Sequence, residues 1–420
     1  MPRRHDAVGL TAAAAYLACD AGSSSFKAAL FEFGAAVPRD PQPARWEGAI
    51  SWRRLPGSAG ISSRWNDARS AESQASLHNA LEAPARLLRA MQASAPPEPP
   101  AVQHVVHRIV HTGQFERSPA RVSSAVRRAI ASALPLAPEH NAIALAGIEA
   151  VDEAFPGVEQ FIISDSAYHA DMPLAASTYG VPASWYKVWG IRRLGFHGVS
   201  HGYAAQRAAQ LADVPLRALK VVTCHLGNGC SLAATSAGTS VDTTMGWTPM
   251  EGLVMGQRSG SLDPGVMLYL MERGRYTARE LARVLNEESG LKGISGLSGD
   301  MRELLEAVAA GHPHASLAFD VFVHRVRAGI GAMAASLGGL DAIVFTGGIG
   351  EHAHEVRRAV CTGLEFLGID LDEEKDAAAR PDCDVARASS RVRIFVVRAR
   401  ETWAMARDCA LAVAQAAPQV

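Results

Sequence analysis

Two short apolar runs, YLAC and AALFEF, flank the stretch DAGSSSFK at residues 20–27. Apolar runs of this length read as strands. Gly22 lets the chain turn where a bulkier residue would not. The segment therefore reads as a tight hairpin whose tip is a row of hydrogen-bond donors. Backbone amides, the hydroxyls of Ser23 and Ser25, and the charge of Lys27 would solvate phosphate oxygens. An ordinary polar turn has the same composition.

The layout recurs. KVVTCHLGNGCSLAAT at 220–235 again runs strand, small-residue tip, strand, and IVFTGGIGEHAHEVRRAV at 343–360 runs strand, glycine turn, helix. Polar-tipped hairpins in both halves indicate a duplicated domain, each half offering a loop to one cleft. Proline-dense stretches at 34–44 and 94–101 read as surface connections. Helical spacing covers SLHNALEAPARLLRAMQ, SSAVRRAIASAL (with a serine cap) and NAIALAGIEAVDEAF, while HVVHRIVH and QFIISD read as strands. Strands and helices alternate to the end, which predicts α/β architecture.

The 420 residues suffice for two domains with full cores, and the 48% hydrophobic content is that of a globular protein. A formal net charge of −1 gives no positive field for nucleic acid or an anionic membrane surface. The six cysteines form no CxxC pair, which argues against a disulfide framework or zinc knuckle and fits a reducing cytoplasm. Arg3 and Arg4 followed by an apolar run superficially resemble a signal peptide. That run passes straight into the hairpin, so it reads as a short tail and first strand. No uninterrupted apolar stretch of about 20 residues is present, so no membrane span is expected.

Several residues carry possible chemistry. Asp165 ends the strand QFIISD, where a carboxylate can point into a ligand crevice, hold Mg²⁺, orient a nucleophile, or merely cap. His197 and His201 stand four apart in GFHGVSHGYAAQ, a spacing compatible with zinc, with a hydrogen bond to a transferring phosphoryl group, or with a satisfied core pair. The glutamate of HExxH is missing, and Gly198 disfavours a regular helix there. Arg108 and Arg258 lie among apolar or small residues and need an anion, either an ion-pair partner or a ligand.

Taken together, these segments resemble the acetate kinase family, within the superfamily of acetate and sugar kinases, heat-shock proteins and actin. The likeness runs from about Tyr16 to Asp408. It rests on DAGSSSFK, HRIVHTGQ, APEHN, SDSAYHADMP, RRLGFHGVSH, the long run from HLGNGCSLAAT to GQRSGSLDPG, GISGLSGDMREL and FTGGIGEHAHEVR. The 225–265 block is the most specific part. The resemblance implies reversible phosphoryl transfer between ATP and a short-chain carboxylate, giving ADP and an acyl phosphate, by a Mg²⁺-using cytoplasmic homodimer. It implies two ribonuclease-H-like domains, a duplicated actin-like fold with an interdomain active-site cleft. The first would be 1–167 closed by the C-terminal helix at 403–420, and the second, nucleotide-binding domain 168–402.

By the same resemblance Asp165, His197, Arg108 and Arg258 are catalytic. Arg108, Val110, Phe196, Pro249 and His140 contact the acyl substrate. Lys27, Ser23 and Ser25 form the first phosphate loop, and His225, Asn228 and Gly229 the second. Asp300, Met301, Arg302 and Gly347, Gly348, Ile349 and Gly350 contact nucleotide, with Asp20 and Glu401 at the metal. Propionate or butyrate as acceptor belongs to the same class. A metal-dependent hydrolase built on His197, His201 and Asp165, or a nucleotide-binding protein that has lost turnover, would be a different one.

The sequence also departs from the family pattern. Asp20 stands where the family has Asn, Glu139 where its pocket has Leu, and His352 where it has Asn. Arg400 and Thr402 flank Glu401 where the family reads NEE, and Ser261 replaces an acidic residue. A buried carboxylate at 139 would be costly beside an acetate site, so Glu139 either turns outward or marks an unusual pocket.

Overall fold

The computed structural model describes residues 13–22, 24–34, 36–52, 55–67, 70–112 and 119–416. They divide into two compact units, Met1–Ala167 with Arg400–Val420, and Tyr168–Ala399. The return to the first unit comes at Arg400 rather than at 403, because the helix Glu401–Ala416 packs along the first unit's central strands. Glu401 therefore belongs to the first unit. Ser23 and the residues before Ala13 lie outside the described residues.

The first unit is built on an eight-stranded sheet. Its strands are β1 (Ala14–Ala21), β2 (Ser25–Phe33), β3 (Trp46–Trp52), β4 (Gly57–Trp65), β5 (Ser70–Leu77), β6 (Val102–Ile109), β7 (Ala120–Arg121) and β8 (Glu159–Ser164). The spatial order is β5-β4-β3-β2-β1-β6-β8-β7. The expected hairpin is present: β1 and β2 are antiparallel with Asp20 opposite Lys27, and Gly22 N donates to Ser25 O at 2.8 Å across the tip. β6 runs parallel to β1 and sets Arg108 beside Asp20. Strand alternation sorts the side chains. Leu17, Cys19 and Ala21 enter the core shared with Leu87 and Ile148 of the helices Ala83–Ala93 and Pro138–Ala154. Tyr16, Ala18 and Asp20 point to the other face, where Glu401–Ala416 lies.

The second unit has β9 (Lys220–Leu226), β10 (Cys230–Ser236), β11 (Thr239–Thr243), β12 (Ala342–Thr346), β13 (Cys383–Asp384) and β14 (Arg393–Val396), in the order β11-β10-β9-β12-β14-β13. Strand for strand this repeats β3-β2-β1-β6-β8-β7. Each has an antiparallel three-strand meander, then two parallel strands, then a short antiparallel edge. The repeat is the duplicated ribonuclease-H-like fold. The first unit adds β4 and β5, which the sequence reading did not place.

The glycine turn after β12 opens the helix Gly347–His352. It is pinned from behind by Arg357, which is 2% exposed and donates to Gly350 O and Glu351 O, both at 2.9 Å. Arg357 Nε also donates to Asp376 Oδ1 at 2.6 Å, so the buried charge is paired.

Candidate active site

In the first unit, three strand ends converge on Arg108. Its Nε donates to Asp20 Oδ1 at 2.6 Å, its Nη1 to Asp165 Oδ2 at 3.3 Å, and its Nη2 to Ala21 O at 3.2 Å. Asp20 is the penultimate residue of β1, Arg108 lies near the end of β6, and Asp165 follows β8, with its N–H donating to Ile109 O at 2.8 Å. Asp20 and Asp165 are 7% and 1% exposed. Burial drives the Asp20 carboxyl up, but Arg108 and then Lys27 more than offset it and hold it below its ordinary range. His140 adds to the same effect from the helix Pro138–Ala154.

Glu401 starts the helix on this face. Its carboxyl is pushed up to about 7 by burial and by the negative charge of Asp20 and Asp165, with Arg108 and Lys27 opposing. Hard oxygen donors short of positive charge suit a small divalent cation, and Mg²⁺ is usually held by one or two carboxylates plus substrate phosphates. Asp20 and Glu401 fit that role. Among the described residues no set of three His, Cys, Asp or Glu side chains forms a metal cage by itself.

Nearby, Val110 is buried at the exit of β6. Asn141 fixes that exit: its Nδ2 donates to His111 O at 2.7 Å and its Oδ1 accepts from His111 N at 3.3 Å. Glu139 is exposed, so this carboxylate turns outward and imposes no buried charge on the unit.

The second unit assembles four histidines. His197, in the left-handed region with φ 57°, is the N-cap of the helix Gly198–Leu211. Its ring stacks on His225 with centroids 4.2 Å apart, and its Nδ1 lies 2.8 Å from Ser231 Oγ. His201 is fully buried, with Nδ1 at 2.7 Å from Thr223 Oγ1 and Nε2 at 2.7 Å from Ser231 Oγ. Burial, then His169 and His225, push His201 well below the ordinary histidine range, so it is neutral. Both ring nitrogens are hydrogen-bonded within the protein, which leaves His201 no lone pair for a metal. The arrangement is that of a histidine held within the protein and lends no support to the alternative of a metal-dependent hydrolase on His197, His201 and Asp165. His169 is likewise held, by Ser240 and by Phe196 O.

Gly229 lies where these elements meet. A Cβ there would stand 3.3 Å from His197 Nε2 and 3.6 Å from Arg258 Nη1. The space beside Gly229 is therefore bordered by an imidazole and a guanidinium. Arg258 Nη1 donates to Pro249 O at 3.2 Å. Gly256 N donates to Asn228 O at 3.0 Å, and a Cβ on Gly299 would stand 2.5 Å from Gly256 O. Gly347, with φ 79°, sits where a Cβ would be 2.8 Å from Leu226 O. The loops carrying Asn228, Arg258, Asp300 and Gly347–Gly350 are thus one cluster.

Within it, Asp300 caps the helix Met301–Ala309 and pairs with the exposed Arg302 at 2.6 Å. Met301, Ile349 and Phe196 have buried side chains and frame the cluster. Lys27 is exposed and Ser25 half-buried at the first hairpin. Sequence reasoning missed Ser231, Thr223, Asn141 and Arg357. A signal for the first two exists: Thr223 and His225 share one face of β9, opposite histidines spaced i, i+4 on a helix.

A family model, the Acetokinase family, matches residues 15–407. The chain belongs to this family. It is 46% identical over 401 residues to an acetate kinase of Synechococcus sp. (strain JA-2-3B'a(2-13)), spanning 94% of this chain and 98% of that protein. It is 45% identical to an acetate kinase of Nostoc punctiforme, with the same shares. Among solved structures it is similar to a propionate kinase from Francisella tularensis (TM-score 0.84, 30% identity) and an acetate kinase from Porphyromonas gingivalis (TM-score 0.82, 31% identity), each covering 94% of this chain and 98% of the other. Family membership makes the chain an ATP-dependent kinase that phosphorylates a carboxylate.

The carboxylate cluster makes stability depend on pH. Glu401 is raised from 4.5 to about 7 in the folded state. Its stabilising contribution is full below about 4.5 and is lost as pH rises through about 7. In EDTA, Glu401→Gln should flatten the fall in Tm between about pH 4.5 and pH 7. A Tm–pH profile identical to that of the parent would contradict the assignment.

Proposed function

We propose that the protein reversibly transfers the γ-phosphoryl group of ATP to acetate, giving acetyl phosphate and ADP. The observation that carries this reading is the bordering of one Gly229-sized space by His197 and Arg258, together with the Arg108–Asp20–Asp165 cluster. The identity of the curated relatives supports acetate as the acceptor, and the outward-turned Glu139 puts no buried charge beside Val110.

Acetate is already ionised at pH 7, so no base is needed. The difficulty is bringing two anions together. Arg108 and Arg258 would neutralise them, with His197 donating to an equatorial oxygen of the group in transfer. Asp165 and Asp20 hold the Arg108 fork in a single orientation. The loops at Ser23–Lys27, His225–Gly229, Asp300–Arg302 and Gly347–Gly350 would bind the nucleotide and align its phosphates. Asp20 and Glu401 would hold Mg²⁺, which would supply charge neutralisation to the nucleotide phosphates.

With MgATP, acetate and hydroxylamine, acetyl hydroxamate should form, and more slowly with propionate or butyrate. Arg258→Ala should lower kcat by about 10²–10³-fold with the fold intact by circular dichroism. No hydroxamate from any of the three acids, or near-parental turnover in the variant, would refute the reading.

The homodimer and the cytoplasm are part of the same proposal. Two helices, Ala183–Trp189 and Pro264–Glu272, have no buried residue, yet carry Trp185, Val188, Trp189, Leu268, Tyr269 and Met271 outward. Apolar faces of this kind are covered by a partner, here a second copy. All six cysteines are free thiols, consistent with a reducing compartment. Light scattering should give a dimer, and Leu268→Glu should shift it towards monomer; a monomeric parent contradicts the assignment.

A further inference from the structure

The kinase reading leaves open how His197 is protonated, and the chain of contacts behind it answers that. Four hydrogen bonds link five groups. Thr223 Oγ1 donates to Ala233 O at 3.4 Å; Thr223 meets His201 Nδ1; Ser231 meets His201 Nε2; and Ser231 meets His197 Nδ1. A carbonyl only accepts, and each hydroxyl has one proton to give. The Thr223 proton goes to Ala233 O, so Thr223 accepts from His201 Nδ1–H. His201 is neutral, so its Nε2 has only a lone pair and must accept from Ser231. Ser231 has then spent its proton and accepts from His197 Nδ1–H. No other allocation makes all four bonds.

We infer that Ser231 is a positioning residue which, backed by His201 and Thr223, holds the resting proton of His197 on Nδ1. Nε2 then faces the space beside Gly229 and Arg258 without a proton. A phosphoryl oxygen at that place is an acceptor, so His197 can donate to it only after Nε2 takes a second proton from solvent. Ser231, as an acceptor, is compatible with that imidazolium; as a donor it would not be. His197 therefore contributes a full positive charge beside Arg258 rather than a neutral N–H. His201, His225 and Arg258 are titratable or charged side chains that this unit brings around the ring. This inference rests on the proposed phosphoryl transfer for its purpose, but not for its geometry.

The test is the two-bond ¹H–¹⁵N correlation spectrum of ¹⁵N-histidine-labelled protein at about pH 8.5, above the ordinary histidine range. His197→Gln identifies the resonance. The parent should show the Nδ1–H tautomer. Thr223→Val, near-isosteric and not in contact with His197, removes the acceptor for His201 Nδ1–H. His201 should then protonate at Nε2, Ser231 should turn to donate to His197, and His197 should switch to the Nε2–H tautomer. The same variant should lose about tenfold in kcat with the acetate KM within about twofold, the loss expected of a weakened transition-state contact. Ser231→Ala should also abolish the parental tautomer pattern, and Ser231→Thr should restore it. A His197 that keeps its tautomer in Thr223→Val, or a parent that shows Nε2–H, would overturn the inference. Absence of acyl phosphate formation by the parent would instead refute the proposed function, and leave the spectra unaffected.

Discussion

A single guanidinium organises the first unit. Arg108 reaches from β6 to the carboxylates that end β1 and follow β8, and to the backbone of the hairpin itself. Two buried carboxylates this close would repel one another, and one would take up a proton, were the fork not between them. The planar, five-donor geometry of arginine lets one side chain satisfy both at once in a fixed orientation, where a lysine ammonium would offer only three rotatable donors. The strand ends are thus held in register at the place where the polar hairpin turns.

The duplicated sheet explains why chemistry gathers at such places. In both units the first hairpin and the next parallel strand bring their ends together, and function sits at the carboxyl ends of parallel strands. In the first unit that position holds Asp20, Arg108 and Asp165. In the second it holds His225, Gly229 and Gly347. The second unit pairs its hairpin with a helix bearing His197 and His201, and a hydroxyl chain through Ser231 and Thr223 takes the orienting role that carboxylates take in the first. Arg357, paired with Asp376, steadies the Gly347–His352 turn from beneath.

Much of this was legible in the residues. The hairpins at 20–27 and 227–229, the strands HVVHRIVH and QFIISD and the serine cap at 123 stand as read, whereas the glycines at 347–350 are the opening of the helix Gly347–His352 rather than a turn before it. Periodicity and turn chemistry are local, and local signals carried them. The strands β4 and β5 were not read, because Ser, Gly and charged residues interrupt the four buried positions of β4 and leave β5 exposed along most of its length, so order comes from the meander pairing itself. The outward turn of Glu139 was open for a similar reason: a helix position near an N-terminus does not disclose its face. Asn141 and Ser231 were passed over because their work is done on groups thirty or more residues away. The i, i+4 spacing of His197 and His201 left zinc, a phosphoryl contact and a core pair open because their partners on β9 and β10 cannot be read from the spacing.

In the proposed mechanism labour is divided: Arg108 would act on the reacting groups, and the loops of the second unit would hold the nucleotide. The most direct measurement is Arg108→Lys, which keeps the charge but removes the fork, assayed for acetyl phosphate formation and for MgADP affinity by calorimetry. The predicted result is a fall in kcat of about 10²-fold or more with the ADP Kd within about twofold of the parent. Turnover close to the parent, or ADP affinity falling in step with turnover, would contradict it.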